Sequence, residues 1–139
     1  VAKAALNRLE IDYPNIYVFS WREMLPAAGQ GAIGVEVCNS QIQSEILDVL
    51  QRMNCQETFT ATKIEREIVE LLEGTCLSPI SSLVIIKDRK LNLQVRVSNQ
   101  NGSKVIEKEV SFFPEQESDA LPAFKRALLA DGARELIQT

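Results

Sequence analysis

The chain has 139 residues, 45% of them apolar, and its 15 basic and 19 acidic side chains leave a formal net charge of −4. That length fits one ordinary domain or two small ones, and the apolar content is enough for a packed core, which excludes a disordered chain. The charge balance gives no basic footprint for nucleic-acid phosphates, no apolar run reaches the length of a membrane span, and no signal-peptide pattern is present.

The opening stretch VAKAALNRL reads as helix, with Ala2, Ala5, Leu6 and Leu9 on one face. It starts at Val1 with no cap before it, so a fragment of a longer protein is expected. Tyr13-Pro14-Asn15 is a turn. Ile16, Val18 and Trp21 make a weak strand-like pattern that Met24-Leu25-Pro26 breaks. Residues 26–38 are a glycine-punctuated loop running into an alternating strand, Ile33-Gly34-Val35-Glu36-Val37, where Cys38 reads as a small buried hydrophobe. Ser40 with Gln43 forms a capping-box pair for a helix whose apolar face is Ile42, Ile46, Val49 and Leu50. Asn54 with Glu57 caps the next helix, which buries Ala61, Ile64, Ile68, Leu71 and Leu72. Gly74 supplies the left-handed residue that ends it, and Pro79 blocks any return to helix.

The period then changes from 3.6 to 2. Leu83 to Ile86 form a strand, Asp88-Arg89-Lys90 a hairpin loop, and Leu91, Leu93, Val95 and Val97 alternate with polar residues. Asn101-Gly102 signals a second hairpin, and Val105 to Phe113 a third strand. Ser118 or Asp119 caps a helix bearing Leu121, Phe124, Leu128 and Leu129, with Pro122 in its first turn; Gly132 ends it and Arg134 to Ile137 adds a turn. Residues 56–139 thus read as an α+β domain, a three-stranded antiparallel sheet with helices on one face. Residues 1–53 hold too few partners to close a domain.

Three cysteines, Cys38, Cys55 and Cys76, form no CxxC pair, and without histidine a Cys/His zinc site is excluded. No metal is expected, and free thiols suit a reducing compartment. Cys76 lies on a short turn just past a helix end, whose partial negative charge disfavours a thiolate. A turnover nucleophile would need a depressed pKa, whereas a thiol alkylated once would not. Gly29-Gln30-Gly31-Ala32-Ile33-Gly34 matches G-x-G-x-x-G, but Pro26 precedes it and an alternating segment follows, so a nucleotide site is not expected. The loop suits close backbone approach to a ligand instead, with Gln30 offering both donor and acceptor. Glu65-Arg66-Glu67 with Glu70, and Glu107-Lys108-Glu109, read as solvated charged faces.

Two segments carry a family resemblance. Leu25-Pro26-Ala27-Ala28-Gly29-Gln30-Gly31-Ala32-Ile33-Gly34-Val35-Glu36 resembles the LPAxGQGAxGxE signature of the porphobilinogen deaminase (hydroxymethylbilane synthase) family. Glu65-Arg66, Leu72-Glu73-Gly74-Thr75-Cys76 and Pro79-Ile80 resemble its cofactor-attachment segment, and Asp131-Gly132-Ala133-Arg134-Glu135 its closing stretch. The resemblance covers essentially the whole chain and implies a C-terminal portion of a three-domain enzyme. Residues 1–25 would finish domain 2 and residues 26–53 return to domain 1, both incomplete parts of a periplasmic-binding-protein-like α/β pair. Residues 56–139 would be domain 3, which attaches the cofactor.

The implied function is that of a transferase in tetrapyrrole (porphyrin and heme) biosynthesis. It condenses four porphobilinogen molecules into hydroxymethylbilane, releasing ammonia, on a dipyrromethane cofactor. Cys76 would carry that cofactor as a thioether, and Gln30 and Gly31 would lie beside the pyrroles, with backbone N–H groups suited to their carboxylates. Implied partners are porphobilinogen, the pyrrole intermediates and the remaining N-terminal domains; the implied location is cytoplasmic. The family's catalytic aspartate has no match in this chain, so catalytic residues here are none and the chain alone is expected to be inactive. Thr75 replaces a usual glycine, and Cys38 stands where a basic residue is frequent. The alternative from another class is a stand-alone α+β protein-binding module, for which residues 1–53 would have to close a core of their own.

Overall fold

The strict alternation between residues 91 and 97 sets the centre of the fold. A strand turns every second side chain to one face, and Leu91, Leu93, Val95 and Val97 are all buried. The computed structural model describes residues 2–12, 14–38 and 44–138. It places this strand, β2 (Lys90–Ser98), between β1 (Ile80–Lys87) and β3 (Val105–Phe112) in an antiparallel sheet of order β1-β2-β3. The register sets Leu93 beside Val84 and Val110, and Val95 beside Ser82 and Lys108. All these side chains share the face that the helices cover. Asn92, Gln94 and Arg96 occupy the open face.

The first hairpin is tighter than the sequence suggests. Lys87 pairs with Lys90, which leaves Asp88 (φ 51°) and Arg89 (φ 63°) as a two-residue turn with both residues left-handed. This is the geometry that matches strand twist, and glycine fits it best. The second hairpin is longer, with Ser98 pairing with Val105. The buried Asn99 braces it: its Nδ2 donates to Ser103 Oγ (3.0 Å) and its Oδ1 accepts the Lys104 N–H (3.0 Å). Gly102 takes the left-handed position at φ 70°.

Three helices cover the buried face. Helix α3 (Gln56–Leu71) lies over β1, α4 (Glu117–Ala130) against β3 and α5 (Ala133–Leu136) against β2. Ile64, Ile68 and Leu72 from the first, Leu121, Phe124 and Leu128 from the second, and Ala133 and Ile137 at the end join the sheet residues in one core. The chain is therefore an α+β fold with an open-faced sheet, as its periodicities imply.

Several local expectations need correction. Cys55, not Asn54, is the N-cap of α3. A 3₁₀ turn at Pro114–Gln116 leads into α4, whose N-cap is Gln116 rather than Ser118 or Asp119. Pro122 consequently falls in the second turn, where its missing N–H leaves a carbonyl at the exposed Ser118 to water. The charged faces are not simply solvated. Glu65 is buried at 5% exposure, Glu67 Oε2 pairs with Lys125 Nζ at 2.6 Å, and Lys108 turns to the helix side to meet Asp131 at 2.8 Å.

The N-terminal third behaves differently. Helices α1 (Lys3–Arg8) and α2 (Ser44–Met53) form, yet Leu9, Ile46 and Val49 remain exposed. The stretches 16–21 and 33–37 are not strands; Ile16, Val18 and Val35 are exposed, and Ile33 is 94% so. Cys38 is likewise exposed rather than buried. Alternation prepares a strand but cannot complete one. A strand needs a neighbouring backbone, and among the described residues the sheet contains only β1, β2 and β3. Among the described residues of this third, Leu25 alone is buried. The expected Ser40–Gln43 capping pair, Ile42, Tyr13 and Val1 lie outside the described residues.

The turn between β1 and β2 gives a direct check. Arg89→Gly removes a left-handed strain of about 1 kcal/mol, while the Arg89–Glu115 pair it deletes is long (3.6 Å) and mostly exposed. The urea midpoint of the variant is expected to rise; a fall would contradict the turn geometry.

Candidate functional site

A helix must satisfy its last carbonyls, and the way α3 does so fixes where Cys76 stands. The Glu73 N–H donates to Glu70 O (3.0 Å) and the Gly74 N–H to Val69 O (2.9 Å), the paired bonds of a Schellman ending. The left-handed residue is Glu73 (φ 56°), not Gly74 as the sequence suggests. Gly74 is needed for room instead. A Cβ there would lie 2.5 Å from Ile80 Cδ1 and 3.3 Å from Val69 Cγ1. Arg134, from the closing Asp131–Glu135 stretch, clamps this corner. Its Nη2 donates to Leu71 O at 2.6 Å and its Nη1 pairs with Glu73 Oε1 at 3.1 Å.

From this corner the chain makes a turn from Thr75 to Ser78. The Ser78 N–H donates to Thr75 O (3.1 Å), the Thr75 N–H to Ser78 Oγ (2.9 Å), and the Leu77 N–H to Thr75 Oγ1 (3.2 Å). Thr75 thus stiffens the turn with its hydroxyl. Cys76 occupies the turn's second position with its side chain exposed, beside Leu77 at 87% exposure. None of the three cysteines is in a disulfide.

The glycine loop is two overlapping turns. The Gln30 N–H donates to Ala27 O and the Ala32 N–H to Gly29 O, both at 3.1 Å, with Gly29 at φ 71° and Gly31 at φ 84°. These angles are where glycine is required. The loop is docked on α3 and β1. The Gly29 N–H donates to Glu65 Oε2 at 2.7 Å, and Pro26 O accepts the Ser82 N–H at 3.2 Å. The other oxygen of Glu65 accepts the Val84 N–H at 2.8 Å. On the open face, Arg96 Nη2 donates to Arg22 O (3.0 Å), so the chain between residues 22 and 29 wraps around the β1 edge. No helix follows Gly34 directly, which removes the geometry a phosphate-binding glycine loop needs.

The structure thus ties Gly29, which precedes Gln30 and Gly31, to the same helix that ends in the Cys76 turn. Glu65 and the C-cap Leu72 are seven residues apart, about 10 Å along the helix axis. The loop's own turns consume the amides of Gln30 and Ala32, and Glu65 takes that of Gly29. Among the described residues, the Gly31 N–H and the Gln30 carboxamide remain without partners and are exposed. Two surface hollows, of about 320 and 380 Å³, lie elsewhere. The first is lined by Leu25, Arg96 and Glu107 among others, the second by Lys104, Asp131 and Glu135. Among the described residues no helix is long and apolar enough to cross a membrane.

Glu65 and Arg134 are the site-shaping residues that sequence reasoning missed. A signal for the first exists: Ala61, Glu65, Ile68 and Leu72 fall on one helical stripe, so the carboxylate interrupts an apolar face. Cys55 is a separate matter. As N-cap of α3, its Sγ accepts the Thr58 hydroxyl at 3.2 Å, and this bond holds its thiol below the usual range. Thr58→Val is therefore expected to move the pH profile of Cys55 alkylation upward, read by peptide mass mapping. An unchanged profile would discount the bond.

The comparisons with known proteins converge. A sequence family described as "Porphobilinogen deaminase, dipyromethane cofactor binding domain" matches residues 1–46. The porphobilinogen deaminase of Campylobacter concisus is 31% identical over 140 residues, covering 99% of this chain and 44% of the relative. That of Helicobacter acinonychis is 32% identical over 139 residues with the same coverages. That of Neisseria meningitidis serogroup B is 33% identical over 138 residues, 99% of this chain and 43% of the relative. The chain spans less than half the length of these relatives.

Proposed function

From its kinship with the porphobilinogen deaminases, we propose that this chain is the C-terminal portion of such an enzyme and carries the thiol that holds a dipyrromethane cofactor. The intact protein is then a hydroxymethylbilane synthase, a transferase of cytoplasmic tetrapyrrole and heme biosynthesis that joins four porphobilinogen molecules with release of ammonia. In this reading residues 56–139 are the cofactor-attachment domain. Residues 1–25 and 26–53 complete two further domains whose remainder is supplied by the N-terminal part of the protein. The exposed apolar side chains of Ile16, Val18, Ile33 and Ile46 support that division, because they need a partner the described chain does not supply. They count against the stand-alone binding module, which requires residues 1–53 to close their own core.

The observation that carries the reading is Cys76 itself. Its sulfur is exposed, in no disulfide, and held on a turn stiffened by Thr75 and Ser78. A thiol so placed fits a thioether link. Its S–H gives way to one C–S bond as the C–N bond of a porphobilinogen aminomethyl group breaks and ammonia leaves with the proton, and the thiol needs no regeneration. Gln30 can donate its carboxamide N–H and Gly31 its backbone N–H to pyrrole carboxylates, while Thr75 and Arg134 keep the sulfur's position fixed. When bound, the dipyrromethane supplies the pyrrole end on which the product is built. The catalytic aspartate and most of the carboxylate-binding arginines belong, by family resemblance, to the N-terminal part, so the present chain alone turns over no porphobilinogen.

Intact-mass measurement of the full-length protein tests this. A dipyrromethane-sized increment is expected on the peptide containing Cys76, and Cys76→Ser is expected to remove it together with hydroxymethylbilane formation. An unmodified Cys76 in active protein would refute the reading, as would porphobilinogen turnover by the 139-residue chain alone.

A further inference from the structure

Glu65 is a titratable side chain that the proposed chemistry does not use, and it is 5% exposed. Its two oxygens go to two different parts of the chain, Oε1 to the Val84 N–H at 2.8 Å and Oε2 to the Gly29 N–H at 2.7 Å. The partners lie 19 residues ahead of it and 36 behind it, one in the edge strand β1 and one in the glycine loop. A buried carboxylate is tolerated only when its lone pairs are satisfied. Here that satisfaction is also a mechanical link.

We propose that Glu65 is the positioning residue that sets the glycine loop against the Cys76-bearing helix, so that Gln30 and Gly31 face the growing pyrrole chain at a fixed height above the thiol. This rests on the reading of Cys76 and the glycine loop as parts of one pyrrole site. Two backbone donors require two acceptors, and only a carboxylate presents two acceptors and no donor. Glutamine at this position would set an NH₂ group against one of the two N–H groups. Aspartate, one methylene shorter, could not span from α3 to both partners. The side chain touches no substrate in this scheme. It acts through the loop, and so affects how pyrroles are held rather than whether the thioether forms. The other ties of residues 22–29, through Pro26 and Arg96, hold the loop's base. The Glu65 bond is the one next to Gln30.

The test uses the full-length protein with Glu65→Gln, and Glu67→Gln as a control carboxylate that ties α3 to Lys125 away from the loop. Glu65→Gln is expected to keep the adduct on Cys76, to raise the KM for porphobilinogen about tenfold, and to speed amide exchange in residues 27–32 by at least about tenfold. Glu67→Gln is expected to change neither KM nor loop exchange. If both variants only lower the melting temperature, with equal KM and equal exchange, the positioning role is overturned and the functional reading stands. If wild-type Cys76 carries no adduct, the functional reading falls, while loop exchange still judges the Glu65 contact. Should Glu65→Gln fail to fold, exchange in the wild type decides. The Gly29 amide must be protected relative to that of the exposed Gly31, which has no partner among the described residues, and equal rates would overturn the proposal.

Discussion

At Gly74 the end of α3 meets the beginning of β1 so closely that a Cβ would lie 2.5 Å from Ile80 Cδ1, and any larger residue would have to displace that side chain. The absence of a side chain at Gly74 lets the helix end lie close over the strand it covers. The residues between Gly74 and Ile80 must reverse direction in little space. They do so by folding the hydroxyls of Thr75 and Ser78 back on the backbone, which pushes Cys76 and Leu77 outward. Exposure of the thiol is thus the by-product of a crowded corner. Arg134 reinforces that corner from the far end of the chain, binding the Leu71 carbonyl and the strained Glu73 together.

The second organising element is a carboxylate inside a largely apolar interface. Glu65 lies in the stripe that α3 presents to the sheet, among Ile64, Ile68 and Leu72. The cost of burying it is offset because its lone pairs meet backbone donors that would otherwise lack partners: the edge strand's Val84 N–H and the loop's Gly29 N–H. With Pro26 O on the Ser82 N–H, two successive edge donors of β1 are met by groups of this same chain.

Legibility in the sequence followed the range of the interactions involved. β2, α3 and the core of α4 were readable because their signal is local periodicity, and periodicity is what burial on one face selects. The Cys76 turn was readable because helix stops and turn residues act over a few positions. Glu65 was not, since its meaning depends on partners 19 residues ahead and 36 behind; its immediate neighbours Arg66 and Glu67 made it look like part of a charged face. The exchange of roles between Glu73 and Gly74 was hidden for a related reason. Glycine commonly ends helices by conformation, but here the tertiary contact with Ile80 claims it, and the left-handed angle passes to its neighbour. Residues 33–37 alternate as a strand should, yet alternation carries no information on whether a neighbouring backbone is present.

The two edges of the sheet have different fates. On β1 the Ser82 and Val84 N–H groups are taken by Pro26 and Glu65, whereas β3 bears Glu107, Lys108 and Glu109 in succession. A second copy laid antiparallel along β3 and centred on Lys108 would set lysine against lysine and Glu107 against Glu109. Centring on either glutamate sets that carboxylate against its own image. Like charges directly opposite destabilise strand pairing, and charged edges discourage sheet growth. The charged triplet thus disfavours pairing of two copies of this edge in each register centred on it.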